Sequence, residues 1–234
     1  MSKIAGKVAL ITGASSGIGA GTAELFASQG CNLILTGRNS ENLDKVVESC
    51  KKAGPKDVEI LKVIGDLTKE DDVKRIIEFT IDNFGKLDIL VNNAGILLNG
   101  SVENCSLDTY DEVMNVNVRS VFLLTQLAIP HLKKNKGNII NVSSIAGLRS
   151  FPGIAAYCMS KAAIDQLTRC LALELAGDKV RVNAVNPGVI ITEVHKRGGM
   201  TEEDYEKFLK HCEETHALGV TVAVDGGRGV MCPR

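Results

Sequence analysis

The residues of this sequence best placed for chemistry are Tyr157 and Lys161, in the run Tyr157-Cys158-Met159-Ser160-Lys161. Side chains four positions apart on a helix leave the same face, one turn apart. A free phenol gives up its proton only near pH ~10 and is a poor acid–base group at neutral pH. Lowering that value by about three units takes ~4 kcal/mol. An ammonium ~4 Å away supplies energy of that order at an effective dielectric of ~20. Alone, the pair is equally what an exposed helix carries, so its meaning depends on the elements that must position it.

Those elements alternate along the chain. Val8–Thr12 is a short apolar run ending in Gly13-Ala14-Ser15-Ser16-Gly17-Ile18-Gly19, after which Ala23, Phe26 and Ala27 keep helical spacing. Strand, glycine turn and helix together form a dinucleotide-binding context, in which the backbone approaches a pyrophosphate and the helix N-terminus offers free N–H groups. The next strand, Asn32–Thr36, ends in Gly37-Arg38-Asn39. An NAD site normally has an acid about 20 residues past the glycines, on the ribose 2′-hydroxyl. Gly37 stands there instead, and the Arg38 guanidinium suits a 2′-phosphate. Arg38 could also be merely solvated, and Glu41, in the first turn of the next helix, is the rival acid.

Ser40 is read as the cap of a helix to about Ala53, Val58–Ile64 as a strand before Gly65-Asp66-Leu67, and Thr68 with Asp71 as a capping box for a helix to about Phe84. Leu87–Val91 is a continuous apolar strand leading into Asn92-Asn93-Ala94-Gly95. A helical stretch from about Ser106 to Lys134 holds Asn115 and Asn117, residues unfavourable in a helix interior. Asn138–Val142 delivers Ser143 and Ser144, and the Tyr157 helix runs to about Ala176. Val180–Val185 leads to Asn186-Pro187-Gly188, Thr201 with Asp204 caps a polar helix to about His216, and Val220–Val224 is the last strand. Strands alternating with helices throughout imply an α/β fold: a doubly wound parallel sheet in three layers. Residues 1–234 read as a single domain, with 189–218 as a substrate-loop and helix segment.

Composition narrows the partners. A net charge of -1 argues against a nucleic-acid groove or an anionic membrane surface, and no run is long and apolar enough to span a bilayer. Seven scattered cysteines without C-x-x-C spacing favour reduced thiols in a cytoplasmic setting. His211, Cys212 and His216 do not converge on one helix face, so no metal site is expected. Cys158 has no evident activating base.

Thr12-Gly13-x-x-x-Gly17-Ile18-Gly19, Asp66-Leu67, Asn92-Asn93-Ala94-Gly95, Asn117, Ser144, Tyr157-x-x-x-Lys161 and Pro187-Gly188 occur in one order along the chain. In this it resembles the short-chain dehydrogenase/reductase family in its NADP-preferring, single-domain form, near carbonyl reductases and 3-oxoacyl-acyl-carrier-protein reductases. The resemblance implies an NADP(H)-dependent oxidoreductase interconverting a small-molecule ketone and a secondary alcohol. Tyr157 would be the acid–base group, Ser144 would bond the carbonyl oxygen, Lys161 would lower the tyrosine pKa and hold the nicotinamide ribose, and Asn117 would hold a relay water. Ser143 is the less favoured neighbour of Ser144. Cofactor contacts would come from Gly13, Ser15, Ser16, Gly17, Ile18, Gly19, Arg38, Asp66 and Leu67 on the adenosine and phosphate side. Asn92, on the adenosine-side ribose, Ala94, Gly95, Tyr157, Lys161, Pro187, Gly188, Ile190 and Thr192 would complete the set. The alternative is a nucleotide-binding regulatory or scaffold protein of the same fold with little or no turnover.

One departure stands out. The family has a further helix before its final strand, whereas His216-Ala217-Leu218-Gly219 runs straight into Val220 here. One late crossover helix is therefore expected to be missing, unless the 234 residues are a subset or variant of a longer chain. A homo-oligomer is expected, as a dimer through the Asn117 and Tyr157 helices, with tetramer assembly weakened.

Overall fold

The computed structural model describes residues 2–215. Six parallel strands, β1 (Val8–Thr12), β2 (Asn32–Gly37), β3 (Ile60–Ile64), β4 (Ile89–Asn92), β5 (Asn138–Val142) and β6 (Arg181–Val185), form one sheet in the order β3-β2-β1-β4-β5-β6. Helices cover both faces: α1 (Gly17–Ser28), α2 (Ser40–Ala53), α3 (Glu70–Phe84), α4 (Leu107–Met114), α5 (Ser120–Asn135) and α6 (Ala155–Glu174). Two further helices, α7 (Val194–Arg197) and α8 (Glu202–Thr215), follow β6. The doubly wound α/β expectation holds for these residues.

Strand side chains alternate in direction, so each central strand feeds two cores. Ala9, Ile11, Leu33, Leu35, Ile89 and Val91 join the α1 and α2 side, where Ala23, Ala27, Leu43 and Val47 meet them. Leu10, Ile34, Leu90 and Ile139 join the opposite side with Ile76, Leu124, Leu132 and Leu171. Burying a side chain of this size contributes about 1.5–3 kcal/mol. Gly19, Ala23 and Ala27 make the buried face of α1, and such small side chains let this helix lie close to the sheet.

Three local expectations are corrected. The cap of α2 is Asn39, whose side chain accepts from the Asn42 N–H at 2.8 Å, and Ser40 is the first helical residue. Thr68 does not form a capping box with Asp71, because its hydroxyl and N–H both bond Asp66 Oδ1, at 2.8 and 3.0 Å. Helix α3 starts at Glu70 without a side-chain cap, its first turn carrying Glu70, Asp71 and Asp72 against the helix dipole. The stretch expected as one helix from about Ser106 to Lys134 is two helices joined by a π turn over Asn115–Arg119, where the Ser120 N–H reaches back to the Asn115 carbonyl. By contrast, Thr201 and Asp204 do pair at the start of α8, whose inward stripe is Tyr205, Phe208, Leu209 and Cys212. Helix α8 lies against α7. The strand expected at Val220–Val224 and the missing crossover lie outside the described residues.

Candidate active site

The order of the sheet reverses between β1 and β4, and a cleft opens at their C-terminal ends. Its volume is about 1320 Å³. On one bank the chain leaves β1 through Gly13, with φ +59°, and a Cβ there would stand 2.8 Å from Ala94 Cα. Gly17, with φ +55°, would put a Cβ 3.0 Å from Thr192 Cγ2. Both are left-handed positions that favour glycine, and at Gly13 the adjoining backbone leaves no room for a side chain. Thr12 and Asn93 lock this loop to the β4 exit. The Thr12 hydroxyl accepts from the Asn93 and Ala94 N–H groups at 2.9 and 3.0 Å, and Asn93 Nδ2 donates to the Thr12 carbonyl at 2.9 Å. Ser16, at the N-cap of α1, makes no side-chain capping bond, so the leading N–H groups of the helix are open to a ligand. Bare backbone, the Ser15 and Ser16 hydroxyls and a helix N-terminus make a donor set that fits a dinucleotide's phosphates.

Beyond the glycine loop, past the end of β2, Arg38 and Asp66 line the cleft. Burial works against ionisation of Asp66, but bonds from Thr68 and the charge of Arg38 outweigh it and hold the carboxyl below its usual range. Among the described residues Arg38 forms no salt bridge, and no carboxylate occupies position 37. Glu41 is exposed in the first turn of α2 and is not part of the cleft wall.

At the opposite end, α6 brings Tyr157 and Lys161 into the cleft. The Lys161 Nζ lies 5.6 Å from the tyrosine ring centroid and donates to the Val142 carbonyl at 2.8 Å. Ser144, just past β5, is within hydrogen-bonding reach of Tyr157 and accepts from the Ala146 N–H at 3.1 Å. Ser143 is buried and donates to the Lys161 carbonyl at 3.2 Å, so of the two serines it is Ser144 that reaches Tyr157. Asn117, in the π turn, holds Ile96 by two 2.8 Å bonds and donates to Ser160 at 3.0 Å. Its Oδ1 and the Lys161 Nζ both flank Gly95.

Burial dominates the electrostatics of Tyr157 and Lys161. Burial raises the Tyr157 pKa above the ordinary phenol value, and the Ser144 bond only partly offsets it. Lys161, 5% exposed, is itself brought down to about 8 by burial, against the pull of Asp165. The Lys161 ammonium lies beside the phenol ring while bound to the Val142 carbonyl.

Two expected cofactor residues are not in the cleft wall. Asn92 is 3% exposed and faces the α5 and α6 side, donating to Thr125 at 3.0 Å and Asn141 at 2.8 Å. It is Asn93, one residue on, that lines the cleft. Gly19 is buried under the loop, where a Cβ would be 2.4 Å from the Gly13 carbonyl, so it serves close packing. The other expected contacts, Gly13, Ser15, Ser16, Gly17, Ile18, Arg38, Asp66, Leu67, Ala94, Gly95, Tyr157, Lys161, Pro187, Gly188, Ile190 and Thr192, all line it. Sequence reasoning missed Arg197, whose guanidinium donates to Ser16 at 3.3 Å, and the buried Asp165, which Asn186 bonds at 3.0 Å. The i, i+4, i+8 spacing of Tyr157, Lys161 and Asp165 was the available signal for the latter. Among the described residues no group of His, Cys, Asp and Glu could hold a metal.

A cleft at the reversal point thus joins a donor set for phosphates to a tyrosine, lysine and serine able to move a proton. The family profile described as short chain dehydrogenase matches residues 7–218. The 3-oxoacyl-[acyl-carrier-protein] reductase of Thermotoga maritima is 37% identical over 96% of this chain and 98% of its own. A short-chain dehydrogenase/reductase from Caenorhabditis elegans, solved with cofactor, superposes with a TM-score of 0.82 at 38% identity, covering 88% of this chain and 78% of that one. The 3-ketoacyl-(acyl-carrier-protein) reductase of Brucella melitensis, complexed with NADH, gives 0.78 at 38% identity, over 83% and 80%. This chain belongs to the short-chain dehydrogenase/reductase family and is a ketone/alcohol oxidoreductase acting on small molecules.

Proposed function

We propose that the protein uses NADP(H) and that Tyr157 is the acid–base group of the reaction. The observation that carries this reading is the placement of Tyr157, Ser144 and Lys161 at one end of a single cleft whose other end holds Arg38. A nicotinamide held against this wall supplies the hydride. Tyr157 gives its proton to the carbonyl oxygen on reduction and takes it back on oxidation. Ser144 bonds the same oxygen as charge develops there. Lys161 orients the ribose and carries positive charge beside the phenol. Asn117 fixes the Gly95-Ile96 edge and, through the second lone pair of its Oδ1, stands at the inner end of a proton path to Lys161.

Arg38, which forms no salt bridge among the described residues, and the missing acid at Gly37 support NADP(H) over NAD(H), in contrast to the Brucella melitensis reductase's NADH. The assignment of the segment 189–218 to the substrate side is supported, in its described part, by Val194, Met200 and Phe208, which line the cleft. The reading includes a cytoplasmic setting, supported by Cys31, Cys50, Cys105, Cys158 and Cys170, none of which is in a disulfide. It also includes a dimer through the helices bearing Asn117 and Tyr157, supported by the exposed Phe122, Met159 and Leu173. The test is a panel of ketones and 3-oxoacyl thioesters monitored by NADPH absorbance. Oxidation of NADPH by a subset of them is expected; tight NADPH binding with no turnover across the panel would favour the regulatory alternative.

A further inference from the structure

Helix α6 carries a third polar residue on the face of Tyr157 and Lys161. Asp165 lies one turn beyond Lys161 and is 6% exposed, against 5% for the lysine. Both of its oxygens accept from a single amide, Asn186 Nδ2, at 3.0 and 3.1 Å. The same nitrogen donates to the Ser144 carbonyl at 2.9 Å. Asn186 immediately precedes Pro187-Gly188, so one side chain joins the α6 carboxylate, the Ser144 backbone and the strand exit. The turn after Ser144 is closed over this carboxylate: a Cβ on Gly147 would come within 2.3 Å of Asp165 Oδ2.

Lys161 and Asp165 are buried one turn apart and form no salt bridge with each other, so each acts on the other across the helix face while lacking the water that would otherwise stabilise it. The remaining groups around Lys161 are the Tyr157 phenol on its own helix, the Val142 carbonyl from β5, Gly95 from the β4 exit and the Asn117 amide from the π turn. Around Asp165 they are Asn186 and the turn at Gly147. Asp165 is the charge whose field favours the ammonium form of Lys161.

We propose that Asp165 is a positioning residue: its buried carboxylate, one turn from Lys161, is the negative charge beneath that ammonium and, through Asn186, sets the Ser144 backbone beside Tyr157. The proposal rests on the catalytic reading of Lys161 and Ser144 for its consequence, but the first measurement below does not depend on turnover.

The test follows Lys161 by NMR in protein labelled at lysine Cε, with the signal assigned from Lys161→Arg. In Asp165→Asn the titration of Lys161 is expected to move to lower pH by about one unit, the size of a typical charge-pair effect. The alkaline limb of kcat/KM is expected to move with it, and Asp165→Glu to restore both. Asn186→Ala leaves both charges in place, so Lys161 should keep its titration while kcat falls and NADPH affinity stays unchanged. An unmoved Lys161 titration in folded Asp165→Asn would overturn the proposal. So would a shift in Asn186→Ala as large as that in Asp165→Asn, since general disruption would then explain both. A moved titration with no turnover in any variant would retain the electrostatic link and reject the catalytic reading instead.

Discussion

Tyr157 and Lys161 share one face of α6, yet the ammonium is hydrogen-bonded to the Val142 carbonyl and only flanks the phenol, 5.6 Å from its ring centroid. Burial moves the two pKa values apart from their ordinary order of use, the tyrosine up and the lysine down to about 8. The pair is arranged around a shared ligand space more than around a direct bond.

On the proposed NADP(H) reading, cofactor choice should turn on Arg38. A charge-assisted guanidinium–phosphate contact is worth about 1.5–3 kcal/mol. That corresponds to a preference for NADPH over NADH of about one to two decades. Arg38→Asp should reverse the ratio of kcat/KM values for the two cofactors, and an unchanged ratio would mean that another group reads the phosphate.

The cradle is decided at Gly13. Alanine there combines a left-handed φ of +59° with a Cβ 2.8 Å from the Ala94 backbone. Backbone strain of this kind costs about 1–3 kcal/mol, before the displaced loop is counted. Gly13→Ala should lower the thermal midpoint and weaken dinucleotide binding together, as read by thermal melting with and without NADPH. Retained affinity would show that the loop has slack that this geometry does not reveal.

Much of this architecture could be read from residue order. Strands β1 and β5 have the bounds expected for them, because an apolar run between a lysine or glycine and a turn leaves few other solutions. The Thr201–Asp204 cap was legible for a similar reason, since its partners are local. Asn92 and Asn93 were not separable, because a shift of one residue in a strand exchanges its faces and adjacent asparagines give no cue. The π turn was hidden inside a continuous helical pattern, where its extra residue places Asn117 against Ile96 and Ser160. The capping box at Thr68 failed because Asp66, two residues before it, competes for the same hydroxyl. Helix α7 is too short to have a period, and so Arg197 went unseen.

Acid stability should depend on Asp88. This buried carboxylate accepts from the Val8 N–H at 2.9 Å and from Lys7 at 3.1 Å, pinning the start of β1 to that of β4. Burial opposes its ionisation, but those bonds and the Lys86 charge prevail and hold its pKa below the usual value. A lowered folded pKa means stability that is present above the unfolded value of ~3.9 and lost as pH falls through the folded one. Asp88→Ala should cost about 2–3 kcal/mol near pH 7, most of it from the unsatisfied Val8 N–H, because the two lysines are half exposed. The difference from the parent protein in urea unfolding should shrink below pH 4, and a gap independent of pH would point to packing alone.

The central claim is that the Tyr157 phenol moves the proton. The most direct measurement is turnover by purified Tyr157→Phe with a carbonyl compound that the parent protein reduces, alongside NADPH binding followed by cofactor fluorescence. The account predicts a fall in kcat of at least ~100-fold, the lower range for general acid–base catalysis, with NADPH affinity largely unchanged. Retention of most of the parent activity by a folded, NADPH-binding Tyr157→Phe protein would contradict it.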